Sequence, residues 1–310
     1  MKKIFVTLAA IVLAAGVSFA QDMSKATETA KLANEALTTG DYATAISGFK
    51  EALKMAEACG DDGLELVGTC KSAIAKVSNA IAKKALTDKN YDEAVAKYNE
   101  TIAIAKEYGE TEIAEKAEAL IPQIYMQKAG SLLNAKDFAA AAEAYGKVLE
   151  LDPTNGQAAL RQGMSYENAG NAEAAIAAFT KAAENGQEKA ATAQLGKHYL
   201  KEAAADLKAK NYTGAVEAAL KSNEYAANPQ TLQIAGQASQ LAGKNENAIK
   251  YFEQYLEAAP DAKNAGQIAY TVGALYQTAK NNAKAKEFYQ KAVSDPKYGA
   301  EAQKMIATLK

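Results

Sequence analysis

Residues 125–153 read YMQKAGSLLNAKDFAAAAEAYGKVLELDP, and this stretch decides the fold. Asp137-Phe138, Ala141 and Tyr145 set out a pattern: polar, aromatic, two residues, Ala, three residues, aromatic. Twelve residues before Ala141 stands Ala129, with Leu132 three further on, and the stretch closes through Val148 to Pro153. A small residue in one helix opposite an alanine in the next lets two backbones approach closely. The following aromatic then fills the gap toward the next pair, and a larger side chain at Ala141 would overpack that contact by ~1–3 kcal/mol.

The same pattern recurs along most of the chain. It reads Asp41-Tyr42, Ala45, Phe49 and then Asn90-Tyr91, Ala94, Tyr98. Weaker copies follow at Asn171, Ala175, Phe179; at Asn211-Tyr212, Ala215; at Asn245, Ala248, Phe252; and at Asn282, Ala285, Tyr289. Successive key alanines are 49, 47, 34, 40, 33 and 37 residues apart, and Gly163, Ala203, Gly236 and Gly273 repeat the small residue twelve positions earlier. Apolar residues make up 49% of the chain while aromatics reach only 7%, so alanine supplies much of the apolar content. That balance favours packed helices over strands.

These residues resemble the tetratricopeptide repeat family, whose unit of ~34 residues is a helix–turn–helix. The resemblance covers nearly all of residues 24–299 and implies an all-α, right-handed solenoid of about seven helical hairpins. Ala300, Met305, Ile306 and Leu309 lie at roughly helical spacing and predict a capping helix, of which 300–310 forms the end. Residues 21–121 form repeats with lengthened helices, and 122–299 hold five repeats of more standard length. The added length is expected as about seven residues in each helix of the first two hairpins. Leu66-Val67, Cys70, Ile74, Val77 and Ile81 form one apolar stripe there, and Ile113, Ala117, Leu120 and Ile124 a second. Gly60 and Gly109 fall where the preceding helices should stop, and Pro122 predicts a kink or a fresh start.

The first twenty residues have the form of a secretory signal: Lys2 and Lys3, an apolar Ile4 to Val17, and the small residues Ser18 and Ala20 before Gln21. The apolar run falls short of the ~20 residues that span a bilayer. No Cys follows it to accept a lipid. The expectation is a bacterial protein exported to the periplasm or beyond, with no transmembrane segment in the mature chain. There the two cysteines, Cys59 and Cys70, admit two readings: a disulfide, or two buried thiols acting as small hydrophobes.

Chemistry is sparse. No GxGxxG, GxSxG or HExxH is present, and the Gly-Lys at Gly243-Lys244 has neither P-loop spacing nor a following Ser or Thr. One histidine, His198, leaves no multi-histidine metal site, and a lone helical imidazole reads as structural. No catalytic residue, metal ligand or cofactor is expected. With 35 basic against 37 acidic residues, a net charge of −2 gives no electrostatic reason to expect nucleic acid.

What the resemblance implies instead is a groove, lined by first helices, that holds a protein or peptide partner. Gln230, Gln233, Gln237 and Gln240 follow at i, i+3, i+7 and i+10, which puts them on one helical face. Gln267, Tyr270, Ala274 and Gln277 form the corresponding stripe of the next repeat. Gln offers donors and acceptors, suited to an extended peptide backbone or to sugar hydroxyls. The alternative is therefore a carbohydrate- or cell-wall-binding module, although no Trp is present to stack on sugar rings. The Lys/Asn clamp used by some family members for acidic tails is missing, since the matching positions include Met126, Gly130, Leu160 and Met164.

Overall fold

The computed structural model describes residues 17–309, so residues 1–16 of the expected leader and Lys310 lie outside it. Among the described residues the regular structure is entirely helical. The chain divides after Pro153 into two compact units. The first holds three hairpins: α1 (Val17–Thr39) with α2 (Tyr42–Ala58), α3 (Leu64–Thr87) with α4 (Tyr91–Glu107), and α5 (Thr111–Asn134) with α6 (Phe138–Leu151). The second holds four: α7 (Gly156–Ala169) with α8 (Ala172–Ala182), α9 (Glu188–Lys208) with α10 (Tyr212–Tyr225), α11 (Pro229–Leu241) with α12 (Asn245–Ala258), and α13 (Ala265–Thr278) with α14 (Asn282–Ala292). A final helix, α15 (Gly299–Thr308), packs on α14.

The seven hairpins are those expected, and each closes in the same way. The turn between its two helices carries one residue in the left-handed region: Gly40, Lys89, Lys136, Gly170, Lys210, Gly243 and Lys280. The next residue returns its N–H to a carbonyl of the first helix, as Asp41 does to Ala36 at 2.9 Å and Asn281 to Tyr276 at 2.9 Å. This satisfies carbonyls that the helix end leaves open. In five of the seven hairpins that same residue caps the second helix: Asp41, Asp137, Asn171, Asn211 and Asn281 each accept a backbone N–H near its start, whereas Asn90 makes no side-chain cap bond. In two copies the polar residue of the pattern is not the one at the cap position. Asn281, not Asn282, caps α14, and Lys244, not Asn245, occupies the position before α12, where it makes no side-chain cap bond.

Inside each hairpin the key alanine is fully buried, and so is the small residue twelve before it. The structure extends that series to Ala33 and Ala82, so it holds in all seven hairpins. At Gly163, Gly236 and Gly273 an added Cβ would sit 2.6, 2.5 and 2.8 Å from the rings of Phe179, Phe252 and Tyr289. Those three rings are all but inaccessible to solvent. The glycines are required by the ring lying directly on the backbone.

Several expectations about the long hairpins change. The added length is not seven residues per helix: α2 and α4 have 17 residues, whereas α1, α3 and α5 have 23, 24 and 24. α5 runs unbroken through Pro122, so no fresh start occurs there, and the boundary expected at 121 falls inside a helix. Gly60 and Gly109 do stand just past the ends of α2 and α4, both with positive φ. At the cap, Ala300 is exposed; Ala302 and Leu309 are the buried contacts, with Met305 and Ile306 packed beside Tyr289 and Ala292.

Cys59 and Cys70 are not joined; both are free and buried. Cys59 Sγ lies 3.3 Å from the Met55 carbonyl, closing the end of α2, while Cys70 sits in the core with Ile74 and Val77. Burial pushes the Cys70 thiol up to about 11, and burial followed by Asp22 and Asp62 raises Cys59. Neither is a thiolate at neutral pH, so neither is primed as a nucleophile.

Candidate functional site

In the second unit the first helices lie side by side, α7 against α9 and α9 against α11. α11 buries Thr231, Ile234, Ala235, Gly236, Ala238 and Ser239. The remaining stripe is the predicted one: Gln230 and Gln240 are exposed, and Gln233 and Gln237 half-buried. Counted from the small residue of each hairpin, the same register on α13 gives exposed Gln267 and half-buried Tyr270, Ala274 and Gln277. On α9 it gives Lys197, Leu200, Ala204 and Leu207, and on α7 Gln157, Leu160, Met164 and Glu167. The face therefore mixes apolar residues, among them Met164 at 40% exposure, with Gln157, Glu167 and Lys197 over α7 and α9, and is rich in amides over α11 and α13.

The seven predicted site residues fall into two groups. The side chains of Gln230, Gln233, Gln237, Gln240 and Gln267 have no hydrogen-bond partner within the described residues, so their donors and acceptors point to solvent. Tyr270 and Gln277 are occupied. The Tyr270 ring centroid lies 5.3 Å from that of Tyr289 and 5.4 Å from that of Tyr298. Gln277 Oε1 accepts the Tyr289 hydroxyl at 2.8 Å. Tyr289 is fully buried, and that burial, with Tyr270 beside it, pushes its hydroxyl up to about 12. These two residues build the wall behind the face and help to fix α13 on α14.

The small-residue register of the hairpins agrees with what the sequence matches. Sequence models of the tetratricopeptide repeat match residues 126–190, 229–262 and 266–294. Over those residues the chain carries tetratricopeptide repeats. Such a scaffold is a fold of protein–protein interaction. No curated protein matches the sequence. Among solved structures, the chain is similar to the MamA protein at 20% identity, over 59% of this chain and 96% of that one, with a TM-score of 0.36. It is also similar to the TPR2AB domain of yeast Sti1 in complex with pHSP90, at 14% identity, over 77% and 99%, with a TM-score of 0.33. A third is pilF of Pseudomonas aeruginosa, at 16% identity, over 62% and 90%, with a TM-score of 0.29. Likeness at this level carries nothing about what this chain binds.

One feature of the tetratricopeptide face was not visible in the sequence. His198 Nδ1 lies 2.6 Å from Glu167 Oε2, and Lys201 donates to Glu167 Oε1 at 3.2 Å, tying α9 to α7. Burial opposes the charge on Glu167, but its bonds to His198 and then to Lys201 outweigh that and hold the carboxyl below the usual range. His198 is thereby a structural clamp between two repeats, with its ring edge against Tyr199 at 5.2 Å. The pair is 31 residues apart in the chain. Only the repeat register, placing Glu167 four after Gly163 and His198 five before Ala203, could have suggested it. No group of three or more His, Cys, Asp or Glu among the described residues is placed to hold a metal ion.

Proposed function

We propose that this protein is an exported, non-enzymatic scaffold of the bacterial envelope that holds an extended segment of a protein partner along the first-helix face of its second unit. The observation that carries the reading is the set of five glutamines at matched register whose amides are left unbonded on a backbone locked by buried rings. An extended strand exposes alternating N–H and C=O groups, and a row of amides can pair with both. Because the stack is rigid, the scaffold loses little conformational entropy on binding. Export rests on the leader-like residues 1–20. The absence of catalysis is supported by two protonated, buried thiols and an imidazole already engaged by Glu167.

The test is affinity capture from crosslinked bacterial envelopes with residues 21–310, beside a Gln233→Ala/Gln237→Ala variant. Tyr270 stays unchanged because truncating it would unpack Tyr289 and Tyr298. A partner recovered by the parent and lost by the variant is the expected result. A partner held equally by both moves the site off this face, and recovery of nothing sinks the envelope scaffold.

A further inference from the structure

The fifth hairpin departs from the others in a way that leaves a cleft on the proposed binding face. Four residues after its key Ala215 stands Ala219, where five of the other six hairpins' equivalents are Phe49, Tyr98, Tyr145, Phe179 and Phe252 and the last is Tyr289. The aromatic filling is moved aside, to a parallel stack of Tyr199 on Tyr225 with centroids 5.7 Å apart. α10 then ends at Ala226 in extended backbone, φ −150° and ψ 103°. Between α9, this end and the start of α11 lies a cavity of about 290 Å³. Its apolar walls are Ala193, Gly196, Leu200, Ala226, Ala227 and Pro229.

Two properties limit what it can take. First, the Ser222 hydroxyl and the Asn228 N–H and Oδ1 in its wall are bonded within the protein. Ser222 donates to the Gly196 carbonyl at 2.6 Å, and Asn228 receives Gln230 N–H at 2.9 Å while donating its own N–H to Asn223 at 3.1 Å. The part that enters must then be apolar. The volume, just below the ~300–1,000 Å³ range of small-molecule sites, has room for one branched side chain. Second, Lys197 is the one charged residue of the lining. It is exposed and has no ion-pair partner among the described residues, whereas Lys201, one turn on, is held by Glu167. A free cation at the mouth of an apolar cavity complements a carboxylate.

We propose that this cleft seats one aliphatic side chain of the bound protein segment, and that an acidic residue next to it in that segment pairs with Lys197. The proposal rests on the reading of the face given above. Lys197 stands six residues before Ala203, as Gln230 stands six before Gly236, so a segment lying along the glutamines passes the mouth of the cleft. α9 lies between α7 and α11, so the face continues on both sides. The segment therefore runs through, and the acid is an internal side chain and not a chain terminus.

The experiment is selection of random dodecapeptides, displayed inside a surface loop of a carrier protein, against residues 21–310 at low salt. The enriched sequences are expected to share Leu, Ile, Val or Met beside Asp or Glu. Binding of a fluorescein-labelled, end-capped synthetic copy should weaken about tenfold in Lys197→Glu, and recover when the peptide's acid is exchanged for Lys. Ala193→Leu, which fills the cavity from an exposed helical position, should weaken it comparably, with both variants melting like the parent. If binding ignores both changes but is lost in Gln233→Ala/Gln237→Ala, the cleft assignment falls and the face stands. Binding indifferent to all of these variants, or no enrichment, overturns both. Binding that needs an uncapped C-terminus overturns the internal acid.

Discussion

In the first unit α1, α3 and α5 run 23, 24 and 24 residues, while in the second α7, α11 and α13 run 14, 13 and 14. Measured from the turn, however, the hairpins are alike. The first helix always ends five or six residues after its small residue, and the second always begins three residues before its key alanine. All the added length lies at the open end, before the small residue in first helices and after the alanine in second helices. α9, with 21 residues, is lengthened in the same place. The closed end is fixed because a turn, a cap and a ring contact must coincide there. The open end only has to keep an apolar stripe, which can be extended by whole turns. In the first unit that extension brings core of its own, with Leu66, Cys70, Ile74 and Ala56 in one buried cluster. Within the length that all the hairpins share, Ser78 and Thr101 add a buried hydrogen bond at 3.0 Å.

If the closed ends are equivalent, removing their rings should cost the same in both units. Phe252→Ala and Tyr98→Ala should each lose ~3–5 kcal/mol in urea titration, because both rings are fully buried. A much smaller loss for Tyr98→Ala would mean that the long open end, and not the ring, holds the first unit together.

The next largest effect should separate the units. The first unit uses Ala33, Ala82 and Ala129 as its small residues, whereas three of the four hairpins of the second use Gly163, Gly236 and Gly273. Gly236→Ala should therefore destabilise by ~1–3 kcal/mol through overpacking against Phe252, despite the better helix propensity of alanine. An unchanged or raised melting temperature would show that the ring can move and that the units pack alike.

Smaller changes should improve the closed end. Lys244→Asp supplies the cap that α12 lacks and should add about 1 kcal/mol, read as a higher denaturation midpoint. The same substitution logic predicts no gain at Asp41 or Asp137, which already cap their helices.

The last comparison concerns acid. The lowered carboxyls of the first unit, Asp41 and Glu112, are fully exposed, whereas Glu167 in the second is partly buried between two repeats. A carboxyl held below its unfolded value adds stability above that value, near 4.5, and loses it as pH falls through the lower folded one. The second unit should accordingly loosen in that acid window, and Glu167→Gln should flatten the pH dependence of its melting. An equal slope in the variant would remove Glu167 from the account.

The chain's own residues determined the repeats, their number and their register, because close helix packing demands a small residue, an alanine and a ring at fixed separations whatever surrounds them. Helix length at the open end was misread, since alanine-rich sequence is helical anywhere and spacing alone does not say which helix took up the added residues. The glutamine stripe was legible from its 3.6-residue period. That Tyr270 and Gln277 belong to the wall, that Glu167 clamps His198 and that a cleft opens beside Lys197 were decided only by tertiary packing. Each of these depends on what a neighbouring repeat places opposite, and no local pattern records that.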